Sequence, residues 1–196
     1  DLTQYKIGGV VLYDRDVTLG TGERNIKSPE QLSNLVKQIK NFAYRFPIIA
    51  IDQEGGRVNR LKTAYGFPAT VSAQYLGNLS ILDSTYIYTE RMAKTINSLG
   101  INLNFAPVVD LNVNPTNPVI GAIERSFSAD PAIVVEQSLV YMNAHKVNRV
   151  LNCLKHFPGH GSSKTDSHLG FTDVTDTWTS LNFNPIRNLL KRGRLI

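Results

Sequence analysis

The 196-residue chain has only one cysteine and no long apolar segment. Its one cysteine, Cys153, excludes an internal disulfide and a cysteine-based metal site. The neighbouring Leu151 and Leu154 predict that this thiol is buried. No apolar run is long enough to span a membrane. The net charge of +5 is spread without a dense basic run, so we expect no nucleic-acid partner.

Histidine is also scarce, but three of the four histidines lie in the segment KHFPGHGSSKTDSHLG, Lys155–Gly170. Pro158 and its neighbouring glycines exclude one regular helix across this segment. The segment is therefore an irregular loop that concentrates titratable side chains, and it is the first place to look for chemistry.

Short, almost continuous apolar runs predict strands that are covered on both faces. Helical patterns lie between them, and this alternation predicts a parallel sheet with crossover helices. The predicted strands are Gly8–Tyr13, Pro47–Asp52, Ile101–Asp110 and Val150–His156, and Arg194–Ile196 begins a fifth.

Three of the predicted helices begin with a capping side chain followed by proline: Ser28-Pro29, Asp130-Pro131 and Asn184-Pro185. Gln31 completes a capping box in the first of them. Another helix is predicted from Leu82 to Leu99, where Gly100 stops it.

Both a doubly wound sheet and a (β/α)8 barrel fit this order. The barrel is favoured because Asp52, Asp110 and Lys155-His156 all fall at the carboxyl ends of strands, where barrel enzymes carry their chemistry. A full barrel needs ~250 residues. We therefore predict that residues 1–196 form one partial TIM-barrel domain, an α/β fold with about five of the eight strands.

The segment IDQEGGRV ends a predicted strand in two carboxylates, Asp52 and Glu54. Such a pair can bind sugar hydroxyls, hold a metal or transfer protons, and the following glycines allow a sharp turn beside a ligand. The alternative is a turn in which Arg57 neutralises Glu54 and nothing binds. The segment by itself does not decide between the two.

Further polar residues follow the next strand. Asp110 either faces a pocket or caps a turn, whereas Asn104 is expected to bond to backbone. Arg125 has the forked donors that suit ligand oxygens, although a solvated arginine is the commoner outcome.

The histidine loop allows two interpretations. His156, His160, Asp166 and His168 are possible metal ligands, but Pro158 prevents the helix that His156 and His160 need in order to share a face. Alternatively, Asp166 accepts a hydrogen bond from one nitrogen of His168 and leaves the other to transfer a proton. A neighbouring carboxylate also favours the protonated imidazole.

These motifs together resemble the β-N-acetylglucosaminidases of glycoside hydrolase family 3. The similarity covers nearly the whole chain in order, through GGVVLY, IDQEGGRV, LNFAPVVDLN, RSFS and KHFPGHG followed by DSH. The resemblance implies a (β/α)8 barrel that removes terminal N-acetylglucosamine with retention of configuration, with no cofactor and no metal. The sequence does not determine the natural substrate: peptidoglycan fragments, chitin oligomers and glycan ends are all open.

The resemblance also assigns roles. His168 is implied to be the general acid/base and Asp166 its partner, while Asp52, Arg125, Lys155 and His156 bind the terminal sugar. A retaining glycosidase also needs a nucleophilic carboxylate about 5 Å from the acid/base. In the family this is an aspartate after a later strand, and no residue of this sequence matches it. We therefore expect the 196 residues alone to be inactive, with the rest of the barrel as a partner.

Three other functions remain open on the sequence. A sugar-binding fragment would bind N-acetylglucosamine without turnover. A phosphorylase would release a sugar 1-phosphate, because a neutral histidine does not repel phosphate as a carboxylate does. A metal-dependent barrel hydrolase would lose activity with a chelator. The compartment, cytoplasmic or periplasmic, and the oligomeric state are not determined.

Overall fold

A computed structural model describes residues 3–16 and 24–192. Four parallel strands form one sheet in this part of the chain, with five α-helices around it. The strands are β1 (Gly9–Leu12), β2 (Ile48–Ile51), β3 (Leu103–Asn104) and β4 (Leu151–Asn152). The helices are α1 (Pro29–Phe42), α2 (Ala73–Leu79), α3 (Leu82–Ser98), α4 (Pro131–Val147) and α5 (Ser180–Lys191).

The strand order decides between the two predicted architectures. The order is β1-β2-β3-β4, so each strand lies beside the one that precedes it in the chain. A doubly wound sheet reverses direction at a switch point, whereas a (β/α)8 barrel adds strands in one direction. The chain therefore has the fold of a partial barrel, as predicted. The predicted fifth strand at Arg194–Ile196 lies outside the described residues.

The strands are the predicted apolar runs, but β3 and β4 are shorter than expected. Pro107 has no N–H to donate, and the pairing of this region with β4 resumes only at Val108 and Lys155. Asparagine side chains supply some of the hydrogen bonds between neighbouring strand segments. The Asn102 Oδ1 atom accepts from the Ile49 N–H at 2.8 Å, and Asn152 Nδ2 donates to the Ala106 carbonyl at 2.9 Å.

Two of the three predicted proline-started helices begin where expected. Ser28 Oγ accepts from the Gln31 N–H at the start of α1, and Asp130 Oδ1 accepts from the Ala132 N–H at the start of α4. The capping box of α1 is displaced by one residue, since Gln31 Oε1 accepts from the N–H of Lys27 and not of Ser28.

The third predicted start, at Asn184-Pro185, is wrong. Helix α5 begins five residues earlier, because Thr179 and Asn182 form the capping box, and Pro185 lies inside the helix. A proline six positions into a helix leaves only one carbonyl of the preceding turn without its donor. Pro185 is buried, so packing favours keeping it there.

The core lies between the sheet and the helices. Leu32 and Val36 of α1 pack with Ile49 and Ile51 of β2, and all four side chains are almost fully buried. Burial of each such side chain contributes roughly 1.5–3 kcal/mol. No helix in residues 3–16 and 24–192 is both long and apolar enough to cross a membrane.

The prediction of a buried thiol at Cys153 is wrong, because this side chain is exposed. Cys153 directly follows β4, the last strand in the order of the described sheet, and Leu151 within β4 is also half exposed. The apolar neighbours in the sequence reflect the strand pattern and not a covered position.

Candidate active site

The polar residues at the ends of the strands meet in one cluster. Asp52 and Glu54 follow β2, Asp110 follows the β3 segment, and Lys155 and His156 follow β4. Because the strands are parallel and adjacent, their carboxyl ends lie at one edge of the sheet. Ion pairs and hydrogen bonds link all five residues, directly or through Arg125.

Lys155 joins the two carboxylates that follow β2. Its Nζ atom lies 2.7 Å from Asp52 Oδ1 and 2.7 Å from Glu54 Oε1. Glu54 also accepts a forked pair of bonds from Arg125, each 2.8 Å long. Burial alone raises the pKa of Glu54, but the bonds and charges of Arg125 and Lys155 outweigh it and lower that pKa. Glu54 is therefore ionised.

Arg125 is buried and paired, so the solvated arginine that the sequence allowed is wrong. Its backbone N–H donates to the Ile120 carbonyl at 3.0 Å and its Nη1 to the Val119 carbonyl at 2.8 Å. The alternative in which Arg57 neutralises Glu54 is wrong, because Arg57 is exposed and Glu54 pairs with Arg125 and Lys155. Burial lowers the pKa of Arg125, and Glu54 more than compensates and raises it.

His156 lies between Arg125 and Asp110. Arg125 Nη2 is 3.3 Å from His156 Nε2, and a guanidinium can only donate, so Nε2 accepts. The proton is then on Nδ1, which donates to Asp110 Oδ2. Asp110 is fully buried and also accepts from the backbone N–H of His156 at 3.2 Å and of His160 at 2.6 Å. Asp110 thus orients the β4 loop.

The turn after β2 is shaped as its glycines predict. Gly55 and Gly56 have φ angles of +99° and +57°, which favour glycine. A Cβ atom on Gly55 would lie 2.3 Å from the Val71 carbonyl oxygen. Asn104 bonds to the backbone of Gln53 through both its amide oxygen (3.0 Å) and its amide nitrogen (2.8 Å), which confirms its predicted structural role.

A buried layer lies beneath this turn, and the sequence analysis did not identify it. His145 is fully buried, stacks on Tyr141 with ring centroids 4.4 Å apart, and lies 3.1 Å from Asn104 Nδ2. Its Nδ1 donates to the Tyr141 carbonyl at 3.1 Å. Burial lowers the pKa of His145 to about 4, so the imidazole is neutral at pH 7. Only the helical spacing of Tyr141 and His145 hinted at this pair.

The predicted pairing of Asp166 with His168 is present in the loop. Asp166 Oδ1 accepts from the His168 backbone N–H at 2.8 Å and lies 2.7 Å from His168 Nδ1. These two bonds, the backbone one first, lower the pKa of Asp166. The His168 side chain is 76% exposed, so its Nε2 faces solvent and can exchange protons.

His160 connects this loop to the strand-end cluster. Its backbone donates to Asp110, its Nδ1 lies 2.9 Å from Ser163 Oγ, and its Nε2 lies 2.9 Å from Ser167 Oγ. Gly161 is buried against Leu111, where a Cβ atom would lie 1.8 Å from the carbonyl oxygen. It therefore fixes the base of the loop, and residues 164–171 are the exposed part.

No helix forms around Pro158, as predicted, but His156 and His160 are neighbours without one. The two rings are in edge contact, with centroids 5.8 Å apart, because the loop folds back on itself. Within the described ranges, however, no group of three or more histidine, cysteine, aspartate or glutamate side chains is arranged to hold a metal ion.

The sequence analysis missed a further carboxylate, Asp14, two residues beyond β1. It is fully buried, pairs with Lys62 Nζ, and lies 3.6 Å from Arg60 Nη1. Arg60 Nη2 in turn lies 3.9 Å from Asp52 Oδ2. Asp14 follows the same rule as Asp52 and Asp110, a carboxylate just after a strand, so its position was a signal that the sequence already contained.

The chain is similar to known proteins both in sequence and in fold. The chain is 38% identical to beta-hexosaminidase A of Pseudoalteromonas piscicida, over 92% of this chain and 30% of that protein. A family 3 beta-N-acetylglucosaminidase of Paenibacillus sp. FPU-7 superimposes with a TM-score of 0.85 at 30% identity, over 98% of this chain and 35% of that one.

NagZ of Neisseria gonorrhoeae, solved with N-trifluoroacetyl-D-glucosamine, gives a TM-score of 0.83 at 30% identity, over 96% of this chain and 54% of that one. The chain thus spans about a third to a half of the lengths of these relatives. Residues 1–185 match the sequence model of the family described as glycosyl hydrolase family 3 N terminal domain. Because that match covers nearly all of its 196 residues, this chain belongs to glycoside hydrolase family 3.

Proposed function

We propose that this chain is part of a retaining exo-β-N-acetylglucosaminidase that removes terminal N-acetylglucosamine from glycans or peptidoglycan fragments. The observation that carries the proposal is the single cluster formed by Asp52, Arg125, Lys155 and His156 at the carboxyl edge of the sheet. The similar proteins named beta-hexosaminidase and beta-N-acetylglucosaminidase support the substrate class.

The cluster has the chemistry to hold one sugar ring. Asp52 offers carboxylate oxygens to hydroxyl protons, while Lys155 and Arg125 offer donors to hydroxyl oxygens. The side chains of Asp52, Lys155 and His156 are 18%, 16% and 30% exposed, so their tips can contact a ligand. Glu54 and Asp110 are more deeply buried and hold these groups in place.

His168 is proposed as the general acid/base. Asp166 accepts a hydrogen bond from Nδ1–H of the protonated ring, and Nε2 gives its proton to the glycosidic oxygen as that bond breaks. In the same step a carboxylate forms a bond to the anomeric carbon. In the second step, His168 takes a proton from water as water displaces that carboxylate, and the two inversions give retention.

The nucleophilic carboxylate is proposed to come from the protein beyond residue 196. The carboxylates of the cluster are already engaged: Glu54 with Arg125 and Lys155, Asp110 with three N–H groups, and Asp52 with Lys155. A carboxylate held by cations is a poor nucleophile because its charge is already stabilised. If no nucleophile completes the site, the chain is a sugar-binding fragment without turnover.

The role of His168 is tested with two substrates on the full-length protein. In His168→Ala we expect kcat to fall by about 10²–10⁴-fold for an alkyl N-acetyl-β-glucosaminide, whose leaving group needs a proton. The loss for a 4-nitrophenyl glycoside should be much smaller, because that leaving group departs without one. Lys164→Gln, an exposed neighbour in the same loop, serves as the control and should leave both rates unchanged.

Equal losses for the two leaving groups, or no loss for either, would show that His168 is not the general acid. Release of N-acetylglucosamine 1-phosphate when phosphate is added would favour the phosphorylase instead of the hydrolase.

A further inference from the structure

Asp14 is a buried carboxylate for which the proposed reaction gives no role. It lies two residues beyond β1, at the same edge of the sheet as the sugar-binding cluster, and its side chain is fully buried. A buried carboxylate is costly unless cations or donors compensate it. Lys62 pairs with Asp14 Oδ2, but no residue in the described ranges donates a hydrogen bond to Oδ1. The Nη1 atom of Arg60 lies 3.6 Å from Oδ1.

Arg60 lies between two carboxylates and closes onto neither. Its Nη1 is 3.6 Å from Asp14 Oδ1, and its Nη2 is 3.9 Å from Asp52 Oδ2. Both distances are too long for hydrogen bonds. The guanidinium also lies over the Tyr13 ring, 5.5 Å from the centroid, and the Arg60 backbone N–H donates to Gln53 Oε1. The head group is therefore balanced between Asp14 and Asp52.

This balance determines how Asp52 presents its two oxygens. Oδ1 accepts from Lys155 at 2.7 Å, and within the described part of the chain no hydrogen bond reaches Oδ2. If Arg60 moved about 1 Å closer, it would form a charge-assisted bond to Oδ2 and occupy the remaining acceptor of Asp52. Attraction to Asp14 opposes that movement.

We propose that Asp14 is a positioning residue that holds Arg60 away from Asp52 and so keeps Oδ2 of Asp52 available to a sugar hydroxyl. The proposal rests on the proposed function in one respect, namely that Asp52 binds sugar. It adds that the availability of Asp52 Oδ2 to the sugar depends on Asp14, a carboxylate that does not contact the substrate.

The test is Asp14→Asn, which keeps the shape of the side chain and removes its charge. A crystal structure of the variant should show Arg60 in hydrogen-bond contact with Asp52 Oδ2, in place of the present 3.9 Å. In the full-length protein we expect KM for an aryl N-acetyl-β-glucosaminide, and Kd for N-acetylglucosamine, to rise ~10-fold, the effect of one lost hydrogen bond to a carboxylate. The value of kcat should change less than about twofold, because the loss is in ground-state binding.

A double-mutant cycle asks whether Asp14 acts through Arg60. In an Arg60→Gln background, Asp14→Asn should have no further effect on KM or Kd, because there is no guanidinium left to move. Asp16→Asn is the matched control: Asp16 lies two residues away, is also buried and pairs with Arg24, 2.5 Å distant. It should leave KM unchanged, even where it lowers the melting temperature.

The outcomes separate the two proposals. If Arg60 does not move in the Asp14→Asn crystal structure, or if the two substitutions have additive effects, Asp14 has only a structural role and the inference is wrong. If Arg60 moves as expected but the wild-type protein neither binds N-acetylglucosamine nor cleaves its glycosides, the positioning is correct and the proposed function fails.

Discussion

At the scale of single residues, the candidate site depends on charges that would be costly to bury alone. Glu54 and Arg125 are each less than one-tenth exposed and satisfy each other through two parallel hydrogen bonds. Removal of one partner from such a pair is strongly destabilising, because the other charge stays buried without compensation.

We therefore expect Arg125→Met to lower the free energy of unfolding by roughly 3–5 kcal/mol, as measured by urea denaturation. The exposed i,i+4 pair Glu90–Lys94 provides the comparison, and Glu90→Gln should cost less than about 1 kcal/mol. Equal effects of the two substitutions would mean that the Glu54–Arg125 pair contributes no more than a surface pair.

His145 gives the chain a specific dependence on pH. Its pKa is about 4 in the folded chain against a reference of 6.5, so the unfolded chain takes up the proton first. The associated stability is complete above about pH 6.5 and is lost as the pH falls toward 4, by roughly 3 kcal/mol in total.

The measurement is the free energy of unfolding from pH 7 to pH 4 for the wild type and for His145→Gln. The free energy of unfolding of the wild type, taken relative to that of His145→Gln, should fall by roughly 3 kcal/mol between pH 7 and pH 4. Parallel curves would show that His145 has the same affinity for protons in the folded and unfolded states. NMR of the imidazole nitrogens, with four histidines to assign, would give the pKa directly.

At this scale the sequence predicted which residues form the site better than it predicted which side chains pair with each other. Asp52, Lys155 and His156 could be placed together because each directly follows a strand of one parallel sheet. The partner of Glu54 could not be chosen, because Arg57 is close in sequence whereas Arg125 reaches Glu54 only through the path of a long loop. Burial of His145 depends on α4 packing over Gln53 and Asn104, a contact between distant segments.

At the scale of elements, the loop that carries Asp166 and His168 has a fixed base and an exposed tip. Gly161 packs on the Leu111 backbone, and Ser163 Oγ accepts from Asn117 Nδ2 at 2.9 Å, so the base is buried. The tip, residues 164–171, extends into solvent and includes Leu169 and Phe171 at 88% and 95% exposure. This division permits movement of His168 without loss of the strand-end cluster.

Gly161→Ala tests the fixed base. The added methyl would lie 1.8 Å from the Leu111 carbonyl oxygen, so the loop must shift. We expect a fall of roughly 2 kcal/mol or more in the free energy of unfolding and a lower kcat. At Gly8 a Cβ atom meets nothing within 4 Å, so Gly8→Ala should change both by little. A stable, fully active Gly161→Ala protein would mean that the base of the loop is adaptable.

Elements with their own local signals were predictable, and those determined by packing were not. Ser28-Pro29 and Asp130-Pro131 begin helices because their caps are complete within four residues. Asn184-Pro185 has the same pattern, but the box of Thr179 and Asn182 precedes it and begins α5 first. The seven-residue helix α2 was missed because it is too short to show a helical pattern.

At the scale of the whole molecule, the sheet brings opposite charges to one edge in equal number. Ion pairs connect three carboxylates with four cations there, and the fourth carboxylate, Asp110, is joined to them through His156 and Arg125. The carboxylates are Asp14, Asp52, Glu54 and Asp110, and the cations are Arg60, Lys62, Arg125 and Lys155. A balanced cluster suits a neutral ligand such as N-acetylglucosamine better than a phosphate or a nucleic acid.

The alternation of apolar runs and helices predicted parallel strands but fitted two strand orders, and the polar residues at the strand ends favoured the barrel order. We propose that this cluster binds the sugar and this loop supplies the acid/base, while the nucleophile is provided by the protein beyond residue 196. On that proposal, we expect residues 1–196 to bind the sugar without turnover.

The most direct measurement is hydrolysis of 4-nitrophenyl N-acetyl-β-glucosaminide by residues 1–196 and by the protein extended through the following strands, with N-acetylglucosamine binding measured for both. We predict binding by both and turnover by the longer protein alone, with the β-anomer as first product. Turnover by residues 1–196 alone would contradict this account, because one of the paired carboxylates described above would then have to be the nucleophile.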